Sequence, residues 1–102
     1  MAMPADGFDW DAGNREKCQK HGLSIAQIEH AVGHAETLIV RDLKNSAFET
    51  RFIAVGRTQE GRLAFVAFTP RRRHGQTLLR PISARYMHKK EAAKYEKESS
   101  AL

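Results

Sequence analysis

The chain of 102 residues is the length of one compact domain with a single modest core, and too short for two. Its net charge is +5, and its single cysteine, Cys18, excludes an internal disulfide and fits a reducing compartment such as the cytoplasm. No apolar run approaches the roughly 20 residues of a membrane span, and Met1 to Gly7 lacks the basic and apolar regions of a secretory signal. The expectation is a cytoplasmic, non-membrane protein with one domain over residues 1–102, its core running from about 8 to 97 between short flexible ends.

In chain order, Phe8 and Trp10 alternate with Asp9 as in a short half-buried strand. Asp11 is placed to cap a short helix that runs to about Lys20, with Gly22 as its left-handed stop. Ser24 followed three residues later by Gln27 reads as a capping box, and Ile25, Ile28 and Val32 recur at helical spacing. A second amphipathic helix from Ser24 to about Gly33 is the consequence. Leu38-Ile39-Val40 is β-prone, and Leu43 to Ser46 is turn material.

Phe48 to Val55 reads as a strand that places Glu49 and Arg51 on the same side, because side chains alternate along a strand. Arg57 to Gly61 makes a hairpin loop, and Leu63 to Phe68, apolar on both faces, belongs at the middle of a sheet. Pro70 to Gly75 reads as a basic loop. Leu78 to Arg85 is the next strand, with Pro81 confined to an edge or a bulge because it has no N–H. From Tyr86 to about Ser99 the chain turns helical, with His88, Ala92 and Tyr95 recurring along one face. This order predicts an α+β fold: a small twisted antiparallel meander with two N-terminal helices and a C-terminal helix, packed on one face of the sheet. The other face is expected to be partly open, with Glu49 and Arg51 lining a shared concave surface.

Charge is unevenly spread. Between Arg71 and Lys97 there are nine Lys/Arg against two acids, Glu91 and Glu96, so that third carries +7 and the rest −2. An anionic partner, nucleic acid or an acidic protein, is implied for the C-terminal third. The lysines of the terminal helix equally fit a solvated face. Arg71, Arg72 and Arg73 are harder to explain that way, since adjacent guanidiniums repel one another unless an anion is near.

Metal binding is not indicated. Of the five histidines only His30 and His34 have helical ligand spacing, no Glu follows His30, and Cys18 has no neighbouring cysteine. Cys18 sits between Lys17 and Lys20 but reads as a packed helix residue rather than a nucleophile. With no Gly-rich phosphate loop, the reading requires no cofactor. General acid–base chemistry is better supplied. Cleaving RNA without a metal needs a base for the ribose 2′-OH, an acid for the leaving oxygen, and cations for the charge that builds on phosphorus. The candidates are His21, Glu49 and Tyr95 for protons, and Lys20, Arg51, Arg80 and Arg85 for charge, with Arg71, Arg72 and Arg73 as further phosphate contacts. Structural alternatives stay open: His21 holding a turn, or Glu49 in an ion pair with Arg51 or Arg85.

Trp10-Asp11, Lys20-His21-Gly22, Glu49-x-Arg51, Gly61-Arg62, Ile82-Ser83-Ala84-Arg85, Glu91 and Tyr95 follow in that order, and the ordered set resembles the BrnT family of ribonuclease toxins. The resemblance covers roughly Phe8 to Tyr95. It implies a RelE-like α+β fold, an endoribonuclease that inhibits translation, and a cognate antitoxin of the DNA-binding ribbon-helix-helix kind. The family's positions fall on Lys20, His21, Glu49, Arg51, Arg85 and Tyr95, with Arg51 and Arg85 expected on the scissile phosphate and Glu49 or His21 moving protons. The stretch from Trp10 to His21 is one residue shorter than the common pattern. Residues Thr69 to His74 are more basic, and Pro81 interrupts the strand before Ile82, which places the chain in a divergent branch. A non-catalytic basic domain that holds RNA or an acidic protein segment is the alternative function.

Overall fold

A computed structural model describes residues 4–45 and 47–100. The elements are β1 (Gly7–Phe8), α1 (Ala12–Cys18), α2 (Ile25–Gly33), β2 (Leu38–Arg41), a 3-10 turn (Leu43–Asn45), β3 (Phe52–Arg57), β4 (Leu63–Arg73), β5 (Gln76–Tyr86) and α3 (Lys89–Ser100). The five strands form one sheet in the order β1-β5-β4-β3-β2. Strands β2 to β5 are an antiparallel meander, and β1 joins β5 in parallel, so the sheet is mixed but mostly antiparallel. The architecture is α+β, as the sequence predicts, with the doubly apolar β4 at the centre. Among the described residues no helix is long and apolar enough to cross a membrane.

Both N-terminal helices start where capping chemistry puts them. Asp11 accepts from the Asn14 N–H at 3.0 Å while the Asn14 side chain accepts from the Asp11 N–H at 2.7 Å, so Asn fills the role usually taken by Glu or Gln in a capping box. The remaining N–H groups of the Asn14 amide donate to the carbonyls of Asp9 and Pro81, at 3.0 and 2.9 Å, which ties α1 to β5. Ser24 and Gln27 make the expected reciprocal box at α2. Helix α1 stops at Cys18, two residues before its predicted end, and Gly22 takes φ +97° in the turn that follows.

Several strand boundaries differ from the sequence reading. Strand β1 covers only Gly7–Phe8, and Trp10 lies outside it, with its indole N–H donating to Glu29 at 2.9 Å. Strand β3 begins at Phe52, not Phe48, so Glu49 and Arg51 do not sit on a regular strand. The Thr50 carbonyl accepts instead from the Thr69 hydroxyl at 2.8 Å, a side-chain bond where the ladder would have continued. Phe48 projects fully into solvent. The predicted basic loop is the end of β4: Arg71, Arg72 and Arg73 pair with Leu78, Thr77 and Gln76. Only His74 and Gly75 turn, at φ +51° and +77°, and two consecutive positive φ values are what a two-residue hairpin of type I′ needs. Of the predicted turn from Leu43 to Ser46, the first three residues form the 3-10 turn, and Ser46 lies outside the described residues.

Pro81 falls at a bulge, one of the two places open to it. Ala67 pairs with Ser83 and Phe68 with Pro81, so Ile82 is the extra residue. One face of the sheet (Ala54, Ala64, Val66, Phe68, Leu79 and Ala84) packs against Cys18, Leu23, Ile28 and Val32 from the α1–α2 region. The opposite face carries Val55, Leu63 and Met87, with Ile53 and Phe65 partly covered, and there α3 contributes Ala92 and Tyr95. The expectation that all helices share one face is therefore corrected. The Met87 N–H extends the ladder to Leu63 at 2.9 Å, and the chain then starts α3 on the other side.

Helix α2 lies so close to β3 that a Cβ on Gly56 would sit 2.1 Å from the Ala31 carbonyl oxygen and 2.7 Å from the Thr37 hydroxyl. Gly56→Ala is expected to cost about 1–3 kcal/mol of stability by overpacking. A urea titration should show a lower midpoint at an unchanged slope; an unaltered midpoint would mean that α2 is not seated this tightly.

Candidate functional site

The face opposite α1 and α2 carries an open groove of about 510 Å³. Ile53, Phe65 and Ala67 line it from β3 and β4, and Ile82, Ser83, Ala84 and Arg85 from β5. Lys17 and His21 reach it from α1 and the turn after it, and Asp42, Asn45 and Arg51 from the segment between β2 and β3. His21, Arg51 and Arg85, far apart in sequence, thus border one space.

Arg85 is held at several points. Its Nη1 and Nη2 donate to the two oxygens of Glu91 at 2.9 and 3.0 Å, a bidentate ion pair, and Nη1 also donates to the Tyr86 carbonyl at 3.2 Å. Its guanidinium carbon lies 4.6 Å from the centre of the Phe65 ring. Glu91 accepts in addition from the His88 N–H at 2.9 Å, which caps α3 from its third residue. The hydrogen bonds from Arg85, then that from His88, hold the Glu91 carboxyl down to about 2, and the same pairing raises the Arg85 pKa. The sequence alternatives pair Glu49 with Arg51 or Arg85; at Arg85 the structure gives that place to Glu91, which the sequence marks only as an acid of the C-terminal third and as part of the family pattern.

Glu49 lies beside the groove rather than along it. Its carboxylate is 3.1 Å from Arg71 and 3.9 Å from Arg51, and it lines two shallow hollows next to the groove. Tyr95 borders a separate cavity with His30 and His34, and Lys20 a separate hollow with Gly13, Glu16 and Gln19. Lys17, one helical turn before His21, is the lysine that reaches the groove. That i, i+4 spacing was available in the sequence. Ser83, two residues before Arg85 on β5, was also readable from strand alternation.

The other candidate arginines, Arg72, Arg73 and Arg80, have partners within the chain. Arg72 donates to the Thr77 hydroxyl at 2.6 Å, and Arg73 pairs with Asp9 at 3.2 Å. Arg80 bridges Asp9 at 3.5 Å and Asp11 at 2.7 Å, fastening the start of α1 to β5. The Asn14 N–H and then Arg80 lower the Asp11 pKa, and Asp11 raises that of Arg80. The three adjacent guanidiniums are thus relieved by Glu49, Thr77 and Asp9 in turn. Cys18 is fully buried, and burial pushes its thiol pKa up, away from the reactive thiolate. His30 meets the Arg57 carbonyl at 3.0 Å, and His34 accepts from the Glu36 N–H at 3.2 Å. Among the described residues no three His, Cys, Asp or Glu side chains converge as metal ligands would.

The Glu91 carboxyl is depressed by folding, so its contribution is present above the ordinary value of 4.5 and is lost as pH falls through about 2. Between those limits the unfolding free energy of the wild type should decline more steeply with falling pH than that of Glu91→Gln. Parallel urea-midpoint profiles for the two proteins would show that the pair with Arg85 is not formed in solution.

A family model described as ribonuclease toxin, BrnT, of type II toxin–antitoxin system matches residues 10–91. Every residue that lines the groove falls inside that range, and Tyr95 falls outside it. No curated protein matches the chain.

Proposed function

The chain belongs to the BrnT family of ribonuclease toxins of type II toxin–antitoxin systems, and on that premise we propose that it is a metal-independent endoribonuclease that cuts RNA in this groove and so inhibits translation. The observation that carries the reading is the meeting of His21, Arg51 and Arg85 around one open groove. The donor set favours cationic rather than metal catalysis: among the described residues that line the groove, Lys17, His21, Arg51 and Arg85 accompany one carboxylate, Asp42, whereas a hard divalent ion wants several oxygen ligands.

In the proposed reaction the ribose 2′-oxygen attacks the neighbouring phosphorus and the bond to the 5′-oxygen breaks, leaving a 2′,3′-cyclic phosphate and a 5′-hydroxyl. Arg51 and Arg85 hold the phosphate and offset the charge that grows on its oxygens. The 2′-hydroxyl gives up a proton and the departing 5′-oxygen takes one up; His21 is the residue at the groove best suited to carry one of the two, and solvent water exchanges the other. Glu49, engaged by Arg71 and Arg51, orients Arg51 in this scheme rather than moving protons. Lys17 adds positive potential, while Lys20, Arg71, Arg72, Arg73 and Arg80 lie off the groove and serve at most to attract the RNA backbone.

Family membership implies an antitoxin partner. We propose a DNA-binding ribbon-helix-helix protein whose acidic segment covers the groove and excludes RNA, with the whole of residues 1–102 acting as one toxin domain in the cytoplasm. The cheapest check is whether a short ribbon-helix-helix reading frame adjoins the gene.

The direct experiment is cleavage of RNA by the purified chain in the presence of EDTA. Arg85→Ala is expected to lower the rate by about 10²–10³-fold, and His21→Ala by about 10²-fold or more, with both variants folded by circular dichroism and both failing to arrest growth on expression. RNA binding without any cleavage by the wild type would favour the non-catalytic basic domain instead.

A further inference from the structure

We propose that Glu91 is a positioning residue for the RNA-cutting groove: it grips one edge of the Arg85 guanidinium so that the other edge faces the phosphate. This rests on the reading of the groove given above. A guanidinium carries five N–H groups and can present two forks, one formed by both terminal nitrogens and one by Nε with a terminal nitrogen. Glu91 occupies the first fork, with Oε1 on Nη1 and Oε2 on Nη2. The second hydrogen of Nη1 is taken by the Tyr86 carbonyl. Among the described residues nothing accepts from Nε or from the second hydrogen of Nη2, and these two make up the fork that fits a pair of phosphate oxygens.

The geometry over-determines the plane. Phe65 lies under the guanidinium, Tyr86 fixes one nitrogen, and Glu91 is itself fixed by the His88 N–H at the start of α3. A bare arginine would have to give up side-chain freedom on binding a phosphate, and here that loss is already incurred in folding. The same contact permits an opposite reading, in which Glu91 merely neutralises Arg85 and competes with the phosphate. The two readings differ in sign: positioning predicts that removing Glu91 slows cleavage, and competition predicts that it speeds it.

Glu91→Gln separates the roles, because a glutamine at the third helical position can still accept from the His88 N–H, while its amide nitrogen cannot accept from Nη2. With α3 retained by circular dichroism, the kcat of Glu91→Gln should fall by about 10–100-fold with KM within about threefold of wild type. A double-mutant cycle should show Arg85→Ala/Glu91→Gln no slower than Arg85→Ala alone. An independent readout is the Arg85 Nε–H signal in a protein labelled with ¹⁵N-arginine, assigned by its absence in Arg85→Lys. A non-cleavable 2′-deoxyoligonucleotide should shift it in the wild type and not in Glu91→Gln. If the wild type cuts no RNA but this shift pattern holds, the ribonuclease reading fails and the positioning stands. Faster cleavage by Glu91→Gln, additive losses in the cycle, or the same shift in both proteins would overturn the proposal.

Discussion

Everything at the groove depends on one extra residue in β5. Leu79 and Ala84 both point into the core beneath α1 and α2, yet they are five positions apart, an odd spacing that a regular strand cannot place on one face. The bulge at Ile82 makes up the difference. Without it, a one-residue slip would turn Ser83 and Arg85 toward the core and Ala84 toward solvent. Pro81 helps to set the break, since its nitrogen has no hydrogen for the ladder, and the Asn14 amide takes up its carbonyl. Asn14, which completes the α1 capping box, therefore also braces the irregularity that aims Arg85, and it holds the helix carrying Lys17 against the same stretch of β5.

Local chemistry in this chain was readable, and long-range pairing was not. Ser24 with Gln27 declared the start of α2, the doubly apolar run at Leu63 declared the central strand, and Pro81 declared a bulge or an edge, because each signal lies within a few residues of its effect. The start of β3 was misplaced because the Thr69 hydroxyl, nineteen residues away, takes the Thr50 carbonyl out of the ladder. The arginine run read as a loop because His74 is not the usual occupant of a left-handed turn position, although His adopts it more readily than most residues. The face chosen by α3 was hidden too, since Ala92 and Tyr95 fit either side of a sheet equally well.

Sequence reading singles out His21, Arg51 and Arg85, which border one groove, but assigns their surroundings less well. Glu49 and Arg51 were paired through strand periodicity; they are close for a different reason, an ion-pair chain that runs on to Arg71. The basic excess of the C-terminal third also divides in two. Its arginines are mostly occupied inside the fold, by Glu49, Asp9, Asp11 and Glu91, while the lysines of α3 face solvent. Local charge counts therefore overstate what is available to an anion at short range, though the long-range potential of that end stays positive.

The two-residue turn at His74 and Gly75 also sets an order of assembly. It lets β4 and β5 pair between near neighbours in sequence, whereas the Asn14 contact with Pro81 closes a separation of 67 residues. By loop-closure entropy the second event costs on the order of 3 kcal/mol more than the first. The hairpin that carries Arg85 thus has an entropic head start over the contact that brings the wall with Lys17 and His21 against it.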